Sequence, residues 1–342
     1  MGPHYGTHHF SKTRRVLLMG LALMGLGAFQ AAAAASDAHP AVPPNVIPPP
    51  DYKPPETVQR ITIPVPPKSG RLRLLIISGS GSYEHDWTGV NNTLRNELEQ
   101  TGRFDVRVTE EFHGATAATL QGYDVVLLNY LGRWNYVDPQ EDRWDAGAQK
   151  ALFDFVRNGG GAVVYHSSLV MGAPSWPEFE KLAGGTMRPN HRSRRSPPNA
   201  FLVHVVDHDH PVTHGMRDFF WTFDDDMYTN LYWDPAVEVH VLATARDEAA
   251  SYEPSVAGPK YPPRVYPPDL IPKMEGMNAD HPMAWTLDYG KGHVFVIPLG
   301  HGPDTLQYAG VRGLIARGAE WAATGNVTIP VEDGAQAFAL DK

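Results

Sequence analysis

Residues 72–78 read LRLLIIS and residues 159–166 read GGGAVVYH. Each segment contains a short apolar run bounded by glycine or polar residues, which is typical of a strand buried on both faces of a parallel sheet. A helical pattern follows the first run, with Val90, Leu94 and Leu98 on one face. These segments therefore predict central strands of an α/β fold.

Elements of the same kind surround these two strands. In the first half, we predict strands at 72–78, 104–109, 125–129 and 162–165 and helices at 88–100 and 149–156. In the second half, we predict strands at 201–206, 237–244, 283–287 and 293–297, a surface insertion at 247–277 and a last helix at 305–323. Alternating strands and helices imply right-handed βαβ units. We therefore expect an open, mostly parallel sheet with helices on both faces.

The composition narrows the possible chemistry. The 342 residues include no cysteine, which excludes disulfides, thiolate metal sites, iron–sulfur clusters and cysteine nucleophiles. The formal net charge is −9, so nucleic acid is not an expected partner. We interpret the one dense basic cluster as a solvated loop or as the rim of a site for an anionic or polyhydroxylated ligand. This cluster consists of Arg188, His191, Arg192, Arg194 and Arg195.

The N-terminal region has the order of a secretory signal peptide. Lys12, Arg14 and Arg15 precede the apolar run 16–29, and small residues that offer A-x-A cleavage sites follow at 31–35. The paired arginines also resemble a twin-arginine signal, and the run is short for a membrane span. We predict a periplasmic or secreted protein with no membrane contact after cleavage. An uncleaved anchor is the alternative.

Proline content sets the next boundary. Residues 36–70 are crowded with proline, which fixes φ and lacks an amide donor, so we predict an extended linker there. The chain thus divides into a signal peptide at 1–35, the linker at 36–70, a folded domain at 71–325 and a tail at 326–342.

Polar residues follow several predicted strands. His85 lies in the loop after the first strand, Trp134 and Asn135 lie after the third, His166 directly follows the fourth, and His301 follows the last. In open parallel sheets, ligands bind beyond the carboxyl ends of the strands. We expect the histidines there to serve acid–base chemistry near neutral pH, and Trp134 and Asn135 to orient hydroxyl groups. For His166, the alternative is a histidine that caps the next helix.

The segment 224–228, DDDMY, lies next to a predicted strand and provides a second group of candidates. Adjacent carboxylates raise one another's pKa or hold a cation, which makes Asp225 and Asp226 candidates for acid–base chemistry or binding. Tyr228 adds an aromatic surface of the kind on which sugars stack. The alternatives are a solvated acidic loop and a tyrosine in ordinary packing.

Two sets of histidines could bind a divalent metal such as zinc, which would need nitrogen and oxygen ligands here. The segment 204–214, HVVDHDHPVTH, holds four histidines, but they flank a proline turn and need not converge. His85, His166 and His301 are better candidates, because three ligands would leave a fourth position for water. One argument against this set is that parallel strands lie about 4.8 Å apart, so side chains on non-adjacent strands are too far apart to share one ion.

Six segments in this order resemble the ThuA-like (trehalose utilisation) family, whose fold is similar to that of class I glutamine amidotransferases. They are SYEHDW at 82–87, GGGAVVYH at 159–166, HPVT at 210–213, DDMY at 225–228, PMAW at 282–285, and GKGHVF at 290–295 leading to LGH at 299–301. The resemblance covers about residues 71–325.

Three positions qualify what the resemblance implies. His166 stands where amidotransferases carry their cysteine, which excludes glutaminase chemistry. The family's Asp-Glu-x-Tyr has Asp226 in place of glutamate, and this shorter carboxylate favours Asp225 over Asp226 as the functional acid. The family's Gly-Lys-Gly-Arg has His293 in place of arginine.

The resemblance implies a role in carbohydrate metabolism, with a small-molecule carbohydrate as the partner. The first hypothesis is an enzyme that acts on a sugar or an oxidised sugar by hydrolysis, elimination or isomerisation. Its acid–base groups would be His166, Asp225, His301 and His85, and its substrate-binding residues Trp134, Asn135, Tyr228, Asp226 and His191. The second hypothesis is a noncatalytic periplasmic sugar-binding module that uses the same pocket. The third is a divalent-metal hydrolase that uses His85, His166 or His301.

Overall fold

The structure is a computed structural model, and the residues that it describes are 65–79, 85–130, 144–170, 176–188, 191–252, 266–332 and 335. The predicted signal peptide and most of the predicted linker lie outside the described residues, as do Trp134 and Asn135. Within the described part of the chain, no helix combines the length and the apolar character needed to cross a membrane.

The secondary structure alternates in the first half and is strand-rich in the second. The strands are β1 (Leu72–Ser78), β2 (Phe104–Thr109), β3 (Val125–Asn129), β4 (Gly161–Tyr165), β5 (Gly185–Thr186), β6 (Arg194–Arg195), β7 (Asn199–Val205), β8 (Phe219–Asp225), β9 (Tyr228–Thr229), β10 (Tyr232–Trp233), β11 (His240–Arg246), β12 (Asp280–Tyr289) and β13 (Gly292–Ile297). The α-helices are α1 (Trp87–Gln100), α2 (Ala117–Leu120), α3 (Ala146–Arg157), α4 (Pro177–Ala183) and α5 (Ala309–Thr324).

Nine strands form one sheet in the order β2-β1-β3-β4-β13-β12-β11-β7-β8. The first five are parallel neighbours. From β13 onwards, each strand pairs antiparallel with the next, so the second half of the chain extends the parallel sheet. The expected α/β fold with a mostly parallel sheet is confirmed.

The predicted element boundaries agree closely in the parallel part and less well beyond it. β1, β2 and β3 have the predicted bounds, and β4 begins one residue earlier than predicted. The predicted last helix is divided, because a 3₁₀ turn at Thr305–Gln307 precedes α5. The edge strand β8 was expected beside the acidic segment but without bounds, and it includes Asp224 and Asp225 of that segment.

Apolar side chains of β1 alternate between two cores, one on each face of the sheet. Leu74 and Ile76 belong to the core that also holds the buried residues of α1 and α5. Leu75 and Ile77 belong to the core that holds those of α3 and α4. Because strand residues alternate between faces, a continuous apolar run such as β1 fills both cores, which explains the helices on both sides.

Glycines let α5 lie close to β4 and β13. A Cβ atom on Gly161 would lie 2.4 Å from the carbonyl oxygen of Ala322, and one on Gly318 would lie 2.2 Å from the ring of Phe295. Real Cβ atoms do not make such short contacts, so these positions require glycine for the observed packing. The helix thereby holds together the two strands whose carboxyl ends lead to His166 and His301.

Candidate active site

His166 lies at the carboxyl end of β4 in a strained backbone conformation. It is the first residue of a 3₁₀ turn, its φ is +36°, and only 1% of it is exposed. Its Nδ1 lies 2.5 Å from the carbonyl oxygen of Pro298, and its Nε2 lies 3.2 Å from the hydroxyl of Tyr228. Because a carbonyl only accepts, Nδ1 carries the proton and Nε2 faces Tyr228 as the acceptor. The side chain therefore points into the interior and does not cap the following turn.

His301 is held in place through its backbone. Its amide donates to Oδ1 of Asp225 at 3.0 Å. The preceding Gly300 has a φ of +110°, and its carbonyl accepts a hydrogen bond from the hydroxyl of Tyr165, the last residue of β4. These hydrogen bonds connect the loop after β13 to the end of β4 and to the end of β8.

The structure brings His85, His166 and His301 together. Their ring centroids are 4.9–5.4 Å apart and the ring planes are inclined by 62–80°. Each offers a nitrogen atom within 4.8 Å of those of the other two, and all three side chains are buried. β4 and β13 are neighbours, which places His166 beside His301. His85 lies just before the N-cap of α1, so the spacing of the strands does not separate it from the others.

Asp226 faces two of these histidines. Its Oδ1 lies 3.5 Å from Nε2 of His166 and 3.5 Å from Nδ1 of His301, and its Oδ2 lies 3.6 Å from Nη1 of Arg195. We call His85, His166, His301 and Asp226 the histidine centre. Burial would raise the pKa of the Asp226 carboxyl, but the neighbouring histidines and Arg195 outweigh burial and hold that pKa well below its usual range.

The three histidines differ in their protonation. Burial lowers the pKa of His166 to about 4, against the opposing effect of Asp226. Burial also lowers the pKa of His85 well below its usual value, and the other two histidines add to this effect. Burial would lower the pKa of His301 as well, but Asp226 and Asp225 raise it overall. At neutral pH the centre thus contains two neutral imidazoles beside an ionised carboxylate.

Asp225 has different surroundings from those of Asp226. Its carboxylate accepts hydrogen bonds from the amides of Gly300, His301 and Asp226 and from the hydroxyl of Thr222, at 3.0–3.1 Å. Burial, followed by the charge of Asp226, raises its pKa to about 7. With so many fixed donors, Asp225 positions the loop that carries His301. The geometry therefore favours Asp226 as the functional acid, the reverse of the preference drawn from the motif.

Tyr228 connects the histidine centre to a cavity. Its hydroxyl contacts His166, and the residue also lines a cavity of about 550 Å³ together with His191, Trp233 and Asn230. Two predicted substrate-binding residues, Tyr228 and His191, thus share one cavity. Trp134 and Asn135 lie outside the described residues, so their predicted role stays a prediction.

The basic cluster is a solvated loop only in part, because His191 and Arg192 are exposed in a turn whereas the other three residues are more enclosed. Each of its four arginines lies against an acidic side chain, in the pairs Arg188–Glu180, Arg192–Glu275, Arg194–Asp247 and Arg195–Asp226. The side chains of Arg194 and Arg195 are only 13% exposed. Sequence reasoning missed the contact of Arg195 with Asp226, because the two residues are 31 positions apart and nothing local links them.

The histidines of segment 204–214 do not converge on one point. His208 pairs with Asp218 at 3.3 Å, and His204 stacks on the ring of Phe219. His214 contacts the carbonyl of His208 through its Nδ1 at 3.1 Å. Among the described residues, these histidines form no group of metal ligands, whereas His85, His166 and His301 do.

These observations define a class of protein: an α/β domain with a buried histidine–aspartate centre at the carboxyl edge of its parallel strands. The model of the ThuA family, described as trehalose utilisation, matches residues 73–322, and the chain belongs to this family. The family points to a carbohydrate-related role. The resemblance drawn from the six segments is thereby confirmed.

Solved structures share the fold. A ThuA-like protein from Parabacteroides merdae is similar with a TM-score of 0.59 and 23% identity, over 76% of this chain and 93% of that one. A ThuA-like protein from Bacteroides uniformis is similar with a TM-score of 0.53 and 18% identity, over 75% of this chain and 93% of that one. No curated protein matches the sequence.

Proposed function

We propose that this protein is an exported enzyme that acts on a sugar or an oxidised sugar by acid–base chemistry at the histidine centre. The observation that carries the proposal is the contact of Asp226 with both His166 and His301, 3.5 Å from each, inside a buried cluster of imidazoles. Family membership supports the carbohydrate substrate.

The arrangement suits proton transfer. Hydrolysis, elimination and isomerisation of sugars all require a proton to be taken from one atom and given to another, which needs an acceptor and a donor in one site. The centre supplies imidazole nitrogens, a carboxylate and, through the contact of Tyr228 with His166, a phenolic hydroxyl. The positive φ of His166 supports a functional role, since strained backbone is kept where the surrounding structure holds a side chain for chemistry.

The cavity beside Tyr228 supports a small carbohydrate as the substrate. Its volume of about 550 Å³ falls within the range of small-molecule pockets. Trp233 offers an aromatic face for a sugar ring, and Asn230 and His191 offer polar groups for its hydroxyls. Arg192 and Glu275 also line it and pair with each other, and Asp280 adds one further negative charge to the lining.

Export is part of the proposal and is supported by the order of charged, apolar and small residues in 12–35. When the full chain is expressed in a bacterium, we expect the periplasmic protein to begin between residues 32 and 37. N-terminal sequencing of that fraction tests this, and an intact Met1 there would contradict export with cleavage.

Turnover separates the enzyme from a noncatalytic sugar-binding module. We expect the purified protein to convert at least one member of a panel of mono- and disaccharides and their keto and carboxylate derivatives, followed by NMR of the products. A matched variant, Asp226→Asn, should lose turnover while keeping its fold by circular dichroism. Saturable binding by calorimetry without any product would contradict catalysis and identify a binding module.

A further inference from the structure

We propose that the histidine centre binds one divalent transition-metal cation, with zinc as the best fit, through His85, His166, His301 and Asp226. The inference deepens the proposed function by naming a cofactor for the same site. It depends on that function for the role of the cation but not for its binding.

The first argument is distance. Zinc binds histidine nitrogen and carboxylate oxygen at about 2.0–2.1 Å, so two ligand atoms of a tetrahedral ion lie about 3.3–3.4 Å apart. Asp226 Oδ1 lies 3.5 Å from Nε2 of His166 and 3.5 Å from Nδ1 of His301. These separations are long for hydrogen bonds between such groups but close to the edges of a coordination tetrahedron.

The second argument is the orientation of the rings. The three imidazoles are inclined to one another by 62–80°, so they do not stack. A nitrogen atom of each lies within 4.8 Å of those of the other two, so small ring movements would bring all three into one coordination sphere. Nitrogen and oxygen ligands of this kind suit zinc and its transition-metal neighbours.

The third argument concerns atoms outside the proposed coordination sphere. The Nδ1–H of His166 donates to the carbonyl of Pro298, which fixes the ring and directs Nε2 inward. Arg195 contacts Oδ2 of Asp226, which leaves Oδ1 facing the histidines. Metal-binding histidines and carboxylates are commonly held by outer partners of this type.

The fourth argument is an unsatisfied buried group. His85 is 8% exposed, and its Nδ1 has no hydrogen-bond partner among the described residues. Burying such an atom unpaired costs about 1–3 kcal/mol. Coordination of a cation by this nitrogen would remove that cost.

When bound, a cation of this kind would supply a Lewis acid, and a water would reach it only as a fifth ligand, because the four protein ligands fill a tetrahedral sphere. The same four residues would serve as ligands and would set the charge of the site.

The test measures binding directly. The mature protein is stripped with a chelator, dialysed, and titrated with zinc chloride by calorimetry and with cobalt(II) by visible absorption. We expect close to one equivalent of zinc per chain and the intense visible bands of a tetrahedral cobalt site. His85→Ala and His301→Asn should each weaken zinc binding by at least about tenfold. The double variant His204→Ala, His214→Ala is the control and should bind as the unmodified protein does.

The outcomes separate this inference from the proposed function. Less than about one tenth of an equivalent of zinc would overturn the cation site, as would unchanged affinity in a folded His85→Ala protein. Binding that is lost in the control variant would overturn it as well. Full turnover of metal-free protein would contradict the cation as a cofactor and would still support the proposed enzyme. Stoichiometric zinc binding without any turnover would support the cation site and contradict the proposed enzyme.

Discussion

The carboxylate of Asp225 accepts the backbone amide of His301 at 3.0 Å. This bond joins the end of the edge strand β8 to the loop after β13, although four strand pairings separate β13 from β8 in the sheet. The loop that carries a histidine of the parallel half is therefore held by the antiparallel half. The antiparallel extension thus takes part in building the site.

Replacing Asp225 should damage stability and the histidine centre together. Asp225→Ala leaves the buried amides of Gly300, His301 and Asp226 without their acceptor, and we expect a loss of about 3 kcal/mol in the free energy of unfolding. Asp225→Asn keeps one carbonyl acceptor and should recover part of that loss. Urea denaturation of both variants measures this, and an Asp225→Ala protein as stable as the unmodified one would show that the amides find other partners.

The loop before His301 should also be intolerant of a side chain at Gly300. A Cβ atom there would lie 2.2 Å from the Tyr165 hydroxyl, and the φ of +110° is unfavourable for any other residue. We expect Gly300→Ala to be destabilised by about 2–4 kcal/mol. Gly302→Ala is the matched control, because no atom lies within 4 Å of its Cβ position. Equal melting temperatures of the two variants would contradict this account of the loop.

The parallel half of the fold was predictable because its signals are local. The apolar runs of β1, β3 and β4 are buried on both faces, and each is bounded by glycine or polar residues. β8 was expected only without bounds, because its burial alternates and its end is acidic, which resembles a loop in isolation. Its character as a strand depends on pairing with β7, a contact that local sequence does not encode.

The candidate site was predictable only in part, because several of its contacts join residues that are far apart in the sequence. His166 and His301 follow neighbouring parallel strands, so their convergence follows from topology. The choice between Asp225 and Asp226 depends on which carboxylate contacts backbone amides and which contacts imidazoles. The sequence does not distinguish two adjacent aspartates in this respect. The hydrogen bond between His166 and the carbonyl of Pro298 could not be predicted from the residue types, because it is made by the backbone of Pro298.

The hydroxyl of Tyr228 should matter for turnover and little for stability. Tyr228→Phe keeps the buried ring but removes the group 3.2 Å from Nε2 of His166. We expect kcat to fall by about tenfold or more with a small change in KM, and stability to change by about 1 kcal/mol or less. Tyr289→Phe is the control, since its hydroxyl meets Arg157 and Glu178 at the opposite edge of the sheet. Equal kcat in Tyr228→Phe and the unmodified protein would exclude the hydroxyl from the chemistry.

The most direct measurement is the turnover of His166→Ala on a carbohydrate that the unmodified protein converts. His166 combines complete burial, a φ of +36° and contact with both Tyr228 and Asp226. The account predicts a loss of turnover of roughly a hundredfold or more in a protein that keeps its fold by circular dichroism. Its melting temperature should fall below that of the surface control His214→Ala, because the substitution leaves a cavity and removes the donor to the Pro298 carbonyl. Unchanged turnover in a folded His166→Ala protein would contradict a catalytic histidine centre.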